Sequence, residues 1–364
     1  MRAPDVARMR LLSQGIAGSG LATSLDVVRR LGALQAQDYG QSLWAVGVRT
    51  DRCTAGDVED SIARGQILRT WPMRGTIHLV PAEDAGWMLQ LGAARKVAGD
   101  RRRMEQLELD ESILARCSEL LADELCGQEP VARGRLMQRL EADGVRTTGQ
   151  RGYHVLWRLA QAGLICLGPV RDKEQTFVLL EEWVPSPRSL GREEALAELA
   201  GRYFVSRGPA TASDFATWSG LTLRDARAGI EALGERLARQ TVEGVEHWLA
   251  ADAVDEVAAG SGGHLLPGFD ELLLGDKDRS AVLAPEHATR VVPGGNGIFF
   301  PMVVVDGSIV GTWKRTLRKG SVDLVLQPFP GLPGAGDLVE RVAGPARTYA
   351  DFLGVPLGAV AVGS

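Results

Sequence analysis

The chain has 364 residues, 45% hydrophobic and 24% charged, an ordinary globular composition with enough apolar material for more than one domain. Its net charge of −5 at pH 7 advertises no general affinity for nucleic acid, although a basic stripe on one face can coexist with acidic faces elsewhere. No apolar run is long enough to cross a membrane, and Met1 to Gln14 carries charges where a signal peptide would have its apolar centre, so a cytoplasmic protein with no membrane partner is expected.

One local grammar recurs three times along the chain: short helices, a helix rich in Arg or Gln, then two strands joined by a tight turn. That is the order of a winged helix. In the first segment Val27, Val28, Leu31 and Leu34 recur at helical spacing, and Gln41 to Val48 reads as a second short helix. Thr54 with Asp57 caps a third, and "ILRTWPMRGTIHLV" supplies two strands around Arg74-Gly75. Long helical patterns follow from Glu83 to about Leu125.

The middle segment repeats the order. "VARGRLMQRLEADGV" is a helix ended by Gly144, and "TTGQRGYHVLWRLAQAGL" is a second with Val155, Leu156, Leu159 and Leu164 for the core. "ICLGPVRDKEQTFVLL" is a hairpin with Arg171, Asp172 and Lys173 at its tip. The third segment states the pattern most clearly. Thr211 or Ser213 caps a helix carrying Phe215 and Trp218, Gly220 supplies a turn, and Thr222 with Asp225 forms a capping box for the next helix. "LARQTVEGVEHWLA" then reads as a hairpin bent at Gly244.

After Asp252 the grammar changes. "GIFFPMVVVDGSIVGTWKRT" holds two strands around the turn Asp306-Gly307, "SVDLVLQPF" is another strand, and Leu338 to Leu353 is helical. A small β-barrel closed by a helix fits. The expected fold class is therefore α+β, with winged helices at 1–125, 126–190 and 191–252 and a C-terminal barrel at 253–364.

"LGALQAQDYG" places Gln35 and Gln37 one residue apart between the first two helices. On a continuous helix positions i and i+2 lie about 200° apart, whereas extended backbone puts them on one face. Asp38-Tyr39-Gly40 favours a helix stop, which makes the shared face available. Two amides can hold one water from two sides, and neither takes up a proton near pH 7. The chemistry must then need little nucleophile activation. Loss of a guanine alkylated on its ring nitrogen is such a case, because the leaving group is already cationic and the sugar becomes an oxocarbenium ion. The protein need only place water and turn oxygen dipoles toward the positive charge.

"LGALQAQD", "RTWPMRGTIHLV", "GPATASDFATWSGL" and "LLPGFDELLLGDKDRS" followed by "GIFFPMVVVDGSIVGTWKR" resemble, in order, the AlkZ-type DNA glycosylases, a winged-helix family. Gln35, Ala36 and Gln37 match the family's catalytic Gln–apolar–Gln triplet, which in another branch ends in Asp. The resemblance implies three tandem winged helices and a barrel in a C shape around a concave basic channel for duplex DNA. It implies excision of bulky alkylguanine and, in the Gln-Gln branch, unhooking of interstrand crosslinks made by azinomycin-like natural products, which is a self-resistance function. Asp276 departs from the pattern, standing where the family often carries an aromatic residue.

Other residues are read beside these. Arg74, Thr76 and His78 alternate on one face of a hairpin that could meet DNA, and Lys277, Arg279, Lys314 and Arg315 are phosphate-contact candidates. Asp38 reads as a cap, and so do Asp270 and Glu271, because adjacent carboxylates diverge on any element. Cys53, Cys117, Cys126 and Cys166 lack any CxxC pairing and read as small buried hydrophobes, and the five histidines form no metal spacing, so neither metal nor cofactor is expected. No lysine matches a Schiff-base position in the triplet, so a monofunctional hydrolase acting as a monomer on damaged double-stranded DNA is expected. The rival reading is a winged-helix transcription regulator that binds DNA without chemistry.

Overall fold

The structure is a computed structural model that describes residues 2–127, 129–253, 262–295, 297–331 and 337–363, the side chains of Ala3, Ala94 and Lys96 excepted. It mixes helices and strands as an α+β fold and divides into two compact units, residues 1–58 with 196–364, and residues 59–195.

The second unit carries two hairpins side by side. Strands Ile67–Met73 and Thr76–Pro81 turn through Arg74 and Gly75, both left-handed at φ 53° and 72°. Strands Ile165–Arg171 and Glu174–Leu179 turn through Asp172 and Lys173, left-handed at φ 51° and 65°. Two successive left-handed residues match the twist of the flanking strands. The hairpins meet where Arg69 pairs with Leu167, and the short strand Val131–Ala132 adds beside Phe177. Helices Ala85–Gln106, Glu111–Leu125, Arg133–Ala142 and Arg151–Gln161 supply the other layer. Leu121, Leu136, Leu140, Val155, Leu156, Ile165 and Phe177 form the core between them.

In the first unit three helices start as their sequences dictate. Thr23 with Asp26, Thr211 with Asp214 and Thr222 with Asp225 each form a capping box, satisfying amides that a helix start leaves without partners. Helices Ala212–Ser219 and Leu223–Leu233 are separated by Gly220 at φ 72°, and the hairpin Leu237–Val242 with Val245–Ala250 follows. Tyr203, Phe204, Phe215 and Trp218 are all fully buried, with ring centroids of neighbouring pairs near 5 Å, for instance 5.1 Å between Tyr203 and Trp218.

The C-terminal strands form an open sheet where the sequence suggested a barrel. Its order is Leu357–Val362, Ser321–Pro328, Ser308–Arg318, Met302–Val305, Gly263–Leu266, and among the described residues the two outer strands do not pair with each other. The last strand joins in parallel beside Ser321–Pro328 instead of closing on the far edge. Helix Ala343–Phe352 packs against Gly263–Leu266 and Ser321–Pro328, giving a face of the sheet the cover it would otherwise gain by curling on itself. Trp313 and Tyr349 meet at 4.9 Å in that layer, and Trp44 joins them at 4.9 Å from Tyr349.

The thiols also differ from expectation. Cys117 and Cys166 are buried, Cys53 is half-buried and Cys126 is exposed at the end of helix Glu111–Leu125.

Candidate active site

Helix Ser24–Leu31 ends at Gly32, whose φ of 74° stops the helical path one turn before the glutamines. Leu34–Gln35 is extended, and Asp38 caps the next helix, Tyr39–Gly47, by accepting from the Gln41 N–H at 3.1 Å. Asp38-Tyr39-Gly40 therefore starts a helix rather than stopping one. The reason is that a short carboxylate at an N-cap satisfies an amide the new helix leaves open. Gln35 is buried, with 9% of its surface exposed, and Gln37 two residues on is exposed.

The segment is held by the "PGFDE" motif from the far end of the chain. The Gln35 N–H donates to Glu271 Oε1 at 3.0 Å, and the Gly268 N–H donates to Gln41 Oε1 at 2.9 Å. Glu271 Oε2 accepts from Arg207 Nη2 and from Trp218 Nε1, both at 2.8 Å. Arg207 also donates to the carbonyls of Leu31 at 2.8 Å and Ala33 at 2.9 Å, and its guanidinium lies 4.3 Å from the Trp218 ring. Asp270 turns the other way, to a two-pronged pair with Arg49 at 2.8 Å on each oxygen, while also capping Leu272. Arg49, Asp270, Arg207 and Glu271 are fully buried. The two carboxylates diverge as adjacency requires, and of the two only Asp270 also caps a helix.

Phe269, between Gly268 and Asp270, has φ 59°, an uncommon left-handed conformation for a bulky residue. Such strain persists where surrounding contacts over-determine it, as the pairs of Asp270 and Glu271 do here.

In the second unit Arg74, Thr76 and His78 come together on the hairpin. His78 Nδ1 lies 2.9 Å from the Thr76 carbonyl and Nε2 lies 3.2 Å from Arg74 Nη2. A carbonyl only accepts and a guanidinium only donates, so these two contacts suit the tautomer with Nδ1 as donor and Nε2 as acceptor. His78 is fully buried, a structural histidine that orients Arg74, which is half-buried.

The remaining basic candidates fall into two kinds. Lys277 and Lys314 are exposed. Arg279 and Arg315 engage the protein itself: Arg279 donates to the Leu273 carbonyl at 2.9 Å and lies 5.1 Å from the Phe299 ring, and its burial lowers its pKa. Arg315 donates to the Tyr349 hydroxyl, and its Nη2 lies 3.2 Å from where a Cβ on Gly40 would stand. The structure thus brings Arg315 beside the segment that follows Gln37. Asp276, the departure from the family pattern, is buried with Arg10 Nη1 at 3.0 Å. Burial pushes its carboxyl up to about 7, against the downward pull of Arg10.

Sequence reasoning missed Glu271 and Arg207 as supports of the glutamines. The available signal was two acids directly before the apolar run "LLLG", since carboxylates buried with such a run need partners.

Comparison with known proteins identifies the family. The family described as DNA glycosylase AlkZ-like matches residues 28–352. A curated relative from Streptomyces sahachiroi, an interstrand DNA cross-link repair glycosylase, is 31% identical over 329 residues, 84% of each chain. The solved structure of the Streptomyces sahachiroi DNA glycosylase AlkZ superposes over the whole of both chains with a TM-score of 0.83 at 28% identity. A family match over most of the chain and a relative of this identity carry one conclusion: the chain belongs to the AlkZ-like DNA glycosylase family.

Proposed function

We propose that this protein is a monofunctional DNA glycosylase that hydrolyses the N-glycosidic bond of bulky N7-alkylguanine, unhooks interstrand crosslinks, and leaves abasic sites. The observation that carries the reading is the pair of neutral amides at Gln35 and Gln37 in a short non-helical link whose one carboxylate, Asp38, caps the next helix through the Gln41 N–H. A site built on neutral amides suits a cationic leaving group. Gln37 holds the attacking water near the anomeric carbon, and the amide oxygens face the positive charge as it forms on the sugar. The name of the Streptomyces sahachiroi relative, an interstrand DNA cross-link repair glycosylase, supports crosslinked DNA as substrate.

In this reading the segments 1–125, 126–190 and 191–252 are winged helices, and 253–364 completes a C-shaped body with a concave channel for duplex DNA. Arg74, Thr76, His78, Lys277, Arg279, Lys314 and Arg315 line or support the DNA-contacting face. Arg315 reaches phosphate with the N–H groups its internal partner leaves over, while Arg279, engaged by the Leu273 carbonyl and the Phe299 ring, supports that face from within. The protein acts as a cytoplasmic monomer. Among the described residues no helix is long and apolar enough to cross a membrane.

The test is a duplex bearing one N7-alkylguanine, incubated with protein and then cleaved with alkali at abasic sites. Strand cleavage by wild type, lost in Gln35→Ala and Gln37→Ala, is the expected result. Intact DNA with wild type, bound tightly, would replace this reading with a winged-helix regulator.

A further inference from the structure

The link between the first two helices takes its shape from whatever its backbone is bonded to, and much of that is side chain. Arg207 donates to the carbonyls of Leu31 and Ala33, Glu271 accepts from the N–H of Gln35, and the two side chains hold each other at 2.8 Å. One carboxylate thus divides its oxygens: Oε1 for the catalytic segment, Oε2 for Arg207 and Trp218. The pair carries no net charge, and its direct effect on the link is to fix the positions of the backbone groups bonded to it. A buried ion pair is a weak source of stability, since desolvation offsets its attraction, but it tolerates few arrangements. That makes it suited to fixing direction.

We infer that Glu271, held by Arg207, is the positioning residue of the glutamine motif: it sets the backbone at Gln35 and through it the reach of both amides toward water and sugar. The catalytic part of this inference rests on the glycosylase reading above. A displacement of about 1 Å at a reacting group costs roughly 10²-fold in rate. Moving the Gln35 amide should therefore cost chemistry before it costs DNA binding.

Two variants separate positioning from mere stability. Glu271→Asp keeps the charge balance with Arg207 but is one methylene short of reaching Arg207, Trp218 and the Gln35 N–H together. Trp218→Phe removes one donor and some packing while leaving Glu271, Arg207 and Gln35 bonded to one another. Single-turnover excision from duplex carrying N7-alkylguanine, and the Kd for the same duplex, are measured at a temperature where near-ultraviolet circular dichroism shows each variant folded. For Glu271→Asp the rate should fall tenfold to a hundredfold, with Kd within about twofold and faster hydrogen exchange at the Gln35 amide. Trp218→Phe should stay within about threefold of wild type.

A folded Glu271→Asp that excises within threefold of wild type overturns the inference, and so does a Trp218→Phe that loses as much rate. Should Glu271→Asp not fold, Glu271→Gln takes its place. It keeps the side-chain volume but offers an amide N–H where one of its partners needs an acceptor, and the same thresholds apply. If wild type leaves the DNA intact, the glycosylase reading falls, and exchange at the Gln35 amide still decides whether Glu271 holds it.

Discussion

The Gln35 amide donates to a carboxylate 236 positions away, Glu271, at 3.0 Å in a fully buried setting. Long-range pairing of this kind makes the glutamine segment a product of the whole first unit, since the "PGFDE" loop, the end of helix Arg192–Arg207 and the first two helices must all be in place before Gln35 is. The site is built by buried charges that cancel in pairs, Arg207 with Glu271 and Arg49 with Asp270.

The two glutamines should respond differently to truncation. Gln37 is exposed, so Gln37→Ala should leave stability within about 0.5 kcal/mol of wild type while excision falls by about 10²- to 10³-fold, the usual cost of removing one preorganised dipole. Gln35 is buried, and Gln35→Ala should lose activity together with about 1–3 kcal/mol. Thermal melts beside single-turnover rates distinguish the two. Equal destabilisation by both substitutions would count against the burial difference.

Arg49 offers a test of the second pair. Its guanidinium donates to both oxygens of Asp270, to the Gln14 side chain and carbonyl and to the Ala45 carbonyl, all without solvent. Arg49→Met should destabilise the first unit by about 3–5 kcal/mol, because it leaves Asp270 charged and uncompensated. Arg49→Lys should recover only part of that, since one ammonium cannot replace a planar fork. Denaturant unfolding is the measurement, and a Lys variant as stable as wild type would refute the geometric argument.

Asp276 predicts a pH dependence. Burial raises its carboxyl to about 7, opposed by Arg10, while Asp214 adds to the rise and Arg207 and Arg279 reduce it. The folded state then keeps a proton that the unfolded chain releases from about pH 4 upward. Its stabilising effect is complete below about pH 4 and is lost as pH rises to 7, with a slope of at most about 1.4 kcal/mol per pH unit. Melting temperatures between pH 5 and pH 8 should fall more steeply in wild type than in Asp276→Asn. Parallel curves would mean that Arg10 holds the carboxylate ionised throughout.

The parts of the fold legible in the sequence are those written in local chemistry. The Thr–x–x–Asp boxes, the Arg74-Gly75 turn and the Gly220 break each sit where a short-range rule puts them, because a capping or left-handed residue acts on its immediate neighbours. What escaped was non-local. Strands Gly263–Leu266 and Leu357–Val362 are short or rich in Gly and Ala and gain their pairing from partners elsewhere in the chain, so neither has a pattern of its own. The glutamine pair was visible as a motif, but Gly32 and not Asp38 ends the helix, and the Arg207–Glu271 support depends on three segments far apart in sequence.

The basic residues give a last prediction, in which exposure decides the outcome. Lys314 is exposed on strand Ser308–Arg318, and Lys277 is exposed beside Asp276. If each meets one phosphate, Lys314→Ala and Lys277→Ala should each weaken binding to undamaged duplex and reduce the slope of log Kd against log salt by about 1, regardless of base sequence. Arg279 is different. Its guanidinium is taken up by the Leu273 carbonyl and the Phe299 ring, so Arg279→Ala should lower the melting temperature and leave most of the salt slope in place. Fluorescence anisotropy across a salt series reads all three. An Arg279→Ala that removes a full unit of slope would move that residue to the DNA-contacting face, and a Lys314→Ala that removes none would take Lys314 off it.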